Sequence, residues 1–201
     1  MEKINFFKMS GSGNDFIVID NRKGVVEEKN LKTFISKICR RRMSVGADGI
    51  ILLENAEGVD FKWRYYNADG GRAEMCGNGA RCVSRFAWLN RIAGYRMSFE
   101  TDAGIIDAEV VDDQVMIKIP DPAGLKLNDS LKMNTGSLTI SGVNTGVPHV
   151  VVEVDDIEEA QVVEVGRQIR YHEAFAPEGT NVNFVSYDKD GNLAVRTYER
   201  G

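Results

Sequence analysis

The chain has 201 residues, 43% hydrophobic and 27% charged, with a formal net charge of -5, which suits one large globular domain or two small ones. The acidic balance argues against nucleic acid or an anionic membrane as partner, since both require a basic face. No apolar run approaches the ~18 residues of a membrane span, and the N-terminus lacks the apolar stretch of a signal peptide, so a cytoplasmic location is expected.

In chain order, NDFIVIDN (14 to 21) predicts a strand that ends in turn residues. Residues 31 to 41 place Leu31, Phe34, Ile35 and Ile38 at helical spacing. GIILLE (49 to 54) reads as a buried strand and DFKWRYYN (60 to 67) as another. Residues 68 to 79 read as loop, and 80 to 90 as a helix. Ala80, Cys82, Val83, Phe86, Ala87, Trp88 and Leu89 make that helix apolar on most sides, as a buried helix would be. Three strands follow at 96 to 101, 105 to 111 and 114 to 119, the last pair joined at Asp112-Asp113.

Pro120-Asp121-Pro122-Ala123-Gly124 breaks the pattern and marks a domain boundary, giving expected domains of 1–121 and 122–201. Strands are then expected at 137 to 143 and 148 to 156, a helix at 157 to 171, and a hairpin of 181 to 188 with 192 to 200. Strand, helix, strand, strand repeats the order of residues 14 to 67. In the first half that order leads into a glycine-rich loop and the buried helix. In the second half the sequence ends at Gly201 before any counterpart.

The chemistry-bearing stretch is MCGNGARC (75 to 82). Cys39, Cys76 and Cys82 are odd in number and form no C-x-x-C pair, which fits neither a disulfide framework nor a zinc site. With only His149 and His172, a histidine-rich metal centre is not expected. No phosphate-binding loop occurs, and neither GSGNDF nor CGNGAR completes a dinucleotide fingerprint. A cysteine at a helix start, however, has its thiolate favoured by unpaired N–H groups and the helix dipole. Gly77 and Gly79 leave that backbone open to a ligand, and the same N–H groups form a seat for a carboxylate. A thiol beside a carboxylate seat suits proton abstraction from the carbon next to that carboxylate. The plainer alternative is a small residue at a helix start with glycines serving a turn.

Cys39 and Cys82 fall within helical apolar patterns, where free cysteine acts as a small hydrophobe. Ser10 to Asp15 reads as a flexible polar loop. Asn67, His149, Asn181, Glu199 and Arg200 stand at strand ends. Singly these are turn formers; together they have the groups to hold a small zwitterion.

KMSGSGNDF (8 to 16), RRMSVGADGI (41 to 50), YYNADGGRAEMCGNGARC (65 to 82), NTGVPHVV (144 to 151), PEGTNVNF (177 to 184) and TYERG (197 to 201) together resemble diaminopimelate epimerase. The resemblance spans the chain in the family's order. It implies an α/β (α+β) fold of two similar domains related by a pseudo-twofold, each a curved, mostly antiparallel sheet around a central helix. The implied reaction interconverts LL- and meso-diaminopimelate without pyridoxal phosphate or metal, one thiol on each side of the α-carbon.

By position, Cys76 looks like one acid/base and Gly77 and Asn78 like backbone donors to the α-carboxylate. Asn14, Asn67, Asn181 and Arg200 are similar to side chains that grip the substrate. Glu199 resembles the residue near the α-ammonium, and His149 one close to the reacting centre. Gly49 stands where some relatives have glutamine and Val147 where many have asparagine. The family continues past Glu-Arg-Gly into a second cysteine loop and helix, so the expectation is a C-terminally incomplete chain with an incomplete second domain. It should expose apolar surface in 123 to 201, or cover it with another chain as in a homodimer, and its catalysis should be impaired. The alternatives are a same-fold proline racemase or phenazine-pathway isomerase, and a non-catalytic substrate-binding fragment.

Overall fold

The computed structural model describes residues 3–119, 121–134 and 136–199, and the chain divides into two units, Met1–Ile119 and Pro120–Gly201. The first unit contains β1 (Phe7–Gly11), β2 (Asn14–Asp20), α1 (Leu31–Ile38), β3 (Gly49–Glu54), β4 (Phe61–Asn67) and the two-residue β5 (Arg72–Ala73). It continues with α2 (Gly77–Leu89), β6 (Arg96–Thr101), β7 (Gly104–Val111) and β8 (Gln114–Lys118). One sheet runs β1-β2-β3-β4-β6-β7-β8, with β5 on β4. Its pairs are antiparallel except β2 with β3 and β4 with β6. A parallel neighbour is reached only by a crossover. Here α1 and α2 lie in the two crossovers.

β2 and β3 are buried on both faces, which is why they read as unbroken apolar runs. Ile17, Ile19, Ile50 and Leu52 pack with Leu31 and Ile35 of α1. Phe16, Val18, Ile51 and Leu53 face the other way, toward Ala80, Val83, Phe86 and Ala87 of α2. α2 touches β1, β2, β3, β7 and β8, so the sheet curls around it. Phe86 also meets the Phe7 ring edge-on, centroids 5.0 Å apart. Buried Ser84 satisfies its hydroxyl on the Ala80 carbonyl one turn back, at 2.8 Å.

The second unit contains β9 (Ala123–Met133), β10 (Gly136–Asn144), β11 (Pro148–Glu153), α3 (Val162–Arg170), a 3-10 turn (Glu173–Phe175), β12 (Asn181–Tyr187) and β13 (Leu193–Tyr198). The sheet order is β13-β12-β11-β10-β9. Only β11 and β12 are parallel, joined through α3. The runs β1-β2-α1-β3-β4 and β10-β11-α3-β12-β13 therefore share one topology: antiparallel, parallel across a helix, antiparallel. Val150, Val152, Val182 and Phe184 pack against Ile169 of α3.

Four sequence expectations need correction. Ser10 to Asp15 is no flexible loop: Gly11 pairs Asn14 across a two-residue turn. Ser12 and Gly13 have φ of 49° and 90° there, the positive values that a tight hairpin demands. The buried helix starts at Gly77 rather than residue 80, tertiary packing overriding the poor propensity of Gly-Asn-Gly. Trp88 and Leu89 face outward at its end. The helix expected at 157 to 171 spans only Val162–Arg170. Residues 125 to 133, given no element, belong to the long edge strand β9, whose mostly exposed side chains carry no strong apolar signal.

Among the described residues α3 covers one face of the second sheet and no helix covers the other. By register that face carries Val151, Val185, Val195, Tyr187 and Leu193. Leu193 and Val195 are each 51% exposed. The chain is expected to bind the dye ANS through this face. Converting Leu193 and Val195 together to lysine should lower the fluorescence without lowering Tm, since neither is part of the packed core. Unchanged dye binding in that double variant would place the apolar surface elsewhere.

Candidate active site

Register brings the starts of β2 and β3 and the end of β4 to one edge of the first sheet, because Phe16 pairs Gly49 and Gly49 pairs Asn67. The N-terminus of α2 reaches the same edge. The β1–β2 turn lies directly on it: a Cβ at Gly11 would sit 3.0 Å from Cys82 Sγ and 3.3 Å from the Asn78 carbonyl oxygen. Glycine is needed at that contact.

Cys76 is the N-cap of α2, with extended backbone (φ -146°, ψ 115°) and a half-buried side chain. The first intrahelical bond runs from Ala80 N–H to the Cys76 carbonyl at 2.8 Å. The N–H groups of Gly77, Asn78 and Gly79 precede it, the arrangement that receives an anion at a helix start. Arg81 curls back over this turn, its Nη1 3.4 Å from where a Cβ on Gly77 would be. Two positive features, backbone N–H and guanidinium, thus stand at the helical turn that Cys76 caps.

Asn78 and Asn14 are in direct contact, Asn78 Nδ2 donating to Asn14 Oδ1 at 2.9 Å. Asn14 Nδ2 in turn donates to Asp48 Oδ2 at 3.1 Å. Behind Asp48 stands an ionic cluster. Arg41 bridges Asp15 at 2.6 Å and Asp48 at 2.7 Å, and Lys8 bridges Asp15 at 2.8 Å and donates to the Gly46 carbonyl. The Arg41 guanidinium, followed by Lys8, holds the Asp15 carboxyl well below the usual carboxylate range despite partial burial.

Asn67 ends β4 with its amide oxygen accepting from the Tyr65 hydroxyl at 2.9 Å. The Tyr65 ring also explains Gly49. A Cβ there would lie 2.7 Å from Tyr65 Cε2 and 2.6 Å from the Tyr66 carbonyl oxygen. The ring therefore occupies the space that a side chain at position 49 would fill.

In the second unit, parallel register places His149 beside Asn181, with Val151 beside Asn183 on the same face. Asn183 Nδ2 donates to the Val150 carbonyl at 3.2 Å and lies 3.3 Å from His149 Nδ1, while its oxygen accepts from Thr197 Oγ1 at 3.0 Å. A carbonyl only accepts, so the Asn183 amide is fixed with its NH2 toward His149. In that orientation Asn183 presents a donor to His149 Nδ1. Glu199 is exposed directly after β13. Val147 closes the turn before β11, its carbonyl accepting from Thr145 N–H at 3.2 Å. Arg200 lies outside the described residues.

The sequence reading missed Asp48, Tyr65, Asn183 and Thr197. The signal for Asn183 was present, since Asn181 and Asn183 are two apart in a strand and share a face. The others act through partners distant in sequence. Among the described residues no three His, Cys, Asp or Glu side chains converge to hold a metal ion, and no helix is long and apolar enough to cross a membrane.

The fold is shared with solved structures of distant sequence. A hydroxyproline epimerase from Agrobacterium vitis superposes with a TM-score of 0.71 at 17% identity, over 96% of this chain and 69% of that one. A phenazine biosynthesis protein of the PhzF family from Bacillus anthracis superposes at 0.70 and 17%, over 99% and 73%. At the sequence level, the diaminopimelate epimerase profile matches residues 6–120 and 141–201. The diaminopimelate epimerase of Aquifex aeolicus is 44% identical over 98% of this chain and 74% of its own length. That of Hydrogenobaculum is 46% identical over 96% and 74%. The chain belongs to the diaminopimelate epimerase family.

Two outcomes check the site. Burial pushes the thiols of Cys39 and Cys82 up to about 11, so both stay protonated through neutral pH. Iodoacetamide at pH 7 to 8 should therefore label Cys76 first, with peptide mapping as the readout; equal labelling of all three would remove the case for an activated thiol. Tyr65→Phe deletes the hydroxyl that holds Asn67. It should weaken diaminopimelate binding by about tenfold, as loss of one buried hydrogen bond does, with Tm changing little because the ring remains. Calorimetric titration measures the first and thermal unfolding the second.

Proposed function

We propose that this chain binds diaminopimelate at the N-terminus of α2 and moves its α-proton with the Cys76 thiol, the chemistry of LL/meso epimerisation. The observation that supports it is the juxtaposition of Cys76 as N-cap with the Asn14–Asn78 amide pair on the same helical turn. The α-carboxylate sits on the N–H groups of Gly77 and Asn78. The thiolate of Cys76 takes the α-proton: the Cα–H bond breaks, an S–H bond forms, and the electron pair spreads into the carboxylate. Those N–H groups then face growing negative charge, which is where fixed donors accelerate proton abstraction. Asn14 and Asn67 contact the remaining polar groups of the substrate.

Epimerisation needs a second acid on the opposite face of the α-carbon, since the proton must leave one side and arrive on the other. Cys39 and Cys82 are 3% and 4% exposed and do not fill that role. The described cysteines form no disulfide, as suits a reducing cytoplasmic setting. A homodimer is the assembly that would cover the apolar face of the second sheet.

The 201-residue chain is therefore expected to exchange the α-proton of diaminopimelate in deuterated water faster than it inverts the centre. Mass spectrometry follows exchange and chiral chromatography follows inversion. Cys76→Ser should reduce exchange by about a hundredfold or more, the usual scale for losing a general base. Exchange that survives the substitution would remove Cys76 from the mechanism.

A further inference from the structure

The proposed binding group Asn14 carries a side-chain amide hydrogen-bonded to that of Asn78, whose backbone N–H is proposed to receive the carboxylate, and an amide serves a site only when its oxygen and nitrogen point the right way. Each can rotate by half a turn with almost no change in shape, exchanging donor for acceptor. Something must choose between the two states.

Resting on the function proposed above, we infer that Asp48 is a positioning residue that makes this choice for both amides. A carboxylate only accepts. Asp48 Oδ2 receives Asn14 Nδ2 at 3.1 Å and the Asp15 N–H at 3.0 Å. Asn14 must therefore turn its oxygen to Asn78, which donates its Nδ2 across 2.9 Å. That leaves Asn78 Oδ1 as the outward end of the relay, 3.5 Å from Arg81 Nη1. An acceptor on that helical turn complements the donating N–H groups of Gly77 and Asn78. A zwitterion needs both, because its ammonium donates and its carboxylate accepts.

The Asp15 backbone holds Asp48 through both its N–H and its carbonyl, independently of Arg41. Its own N–H donates to the Asp15 carbonyl at 2.9 Å, and its second oxygen, Oδ1, takes Arg41 at 2.7 Å. Arg41 is highly exposed and touches neither amide. It is therefore the control for a purely structural role: Arg41→Gln breaks the ion pairs and leaves Asp48 facing Asn14.

The test uses the full chain with Asp48→Ala, Asp48→Asn, Arg41→Gln and Asn14→Ala. Diaminopimelate binding is measured by calorimetry and the side-chain amides of Asn14 and Asn78 by nitrogen-15 NMR. Asp48→Ala should weaken binding about tenfold and shift or broaden the Asn78 amide signals, although position 48 is two residues removed along the relay. Asp48→Asn keeps an acceptor oxygen and should recover most of the affinity and the Asn78 signals. Arg41→Gln should change binding less than twofold.

Equal losses in Asp48→Ala and Arg41→Gln would overturn the inference in favour of a structural role. So would an Asn78 amide unaffected by Asp48→Ala. Loss of binding in Asn14→Ala with none in Asp48→Ala overturns the positioning role while leaving the binding site standing. If Asn14→Ala binds normally, or the unaltered chain does not bind, it is the functional reading that fails, and the Asn78 amide signals alone then decide the relay.

Discussion

β4 lies parallel to β6, and a parallel partner cannot be reached by a tight turn. The chain must leave the sheet at Asn67 and return at Arg96, and α2 fills that path. Everything at the site follows from this crossover. The helix is enclosed because the sheet curls over it, and its first turn comes out at the edge where β2 and β3 begin and β4 ends. Cys76 caps the helix at this edge. The sulfur is thus carried by a rigid, buried element, while its surroundings come from strand ends that the same sheet fixes.

The charged cluster of Lys8, Asp15, Arg41 and Asp48 is easily mistaken for a source of stability. Magnitude argues otherwise. Exposed ion pairs contribute roughly 0–1 kcal/mol, whereas truncating a buried aromatic such as Phe86 costs about 3–5 kcal/mol. Phe86 and its neighbours hold the fold. Within it Asp48 instead sets direction: its carboxylate fixes one amide, which fixes another. In the second unit Thr197 and the Val150 carbonyl likewise orient the Asn183 amide that faces His149.

Much of this was legible in the residues. GIILLE is β3 over its full length, and the buried character of α2 followed from apolar residues around its circumference. The repeated order of elements corresponds to two runs of the same strand topology. Less legible were features that depend on partners far away in sequence. β9 is an edge strand with little buried surface, so it leaves hardly any periodic trace. Helix starts at Gly77 and Val162 were misplaced because packing, not propensity, decides where a helix begins. Site residues with distinctive chemistry, such as Cys76, stood out. Asp48 and Tyr65 did not, since an aspartate before a strand and a tyrosine within one are ordinary until their neighbours are known.

The interlock between Gly49 and the Tyr65 ring bears on how this chain can vary. A larger residue at 49 meets the Tyr66 carbonyl oxygen, 2.6 Å from its Cβ, as well as the Tyr65 ring, so it gains no footing unless the strand backbone also shifts, and a smaller residue at 65 opens a void that glycine does not fill. Exchange of the tyrosine removes one of the two obstacles and leaves the carbonyl in place, so the effects of these contacting residues do not simply add. Position 49 is therefore held small by the strand backbone as much as by the ring, and Asn67, which leans on the tyrosine hydroxyl, is the residue that any change at 65 reaches first.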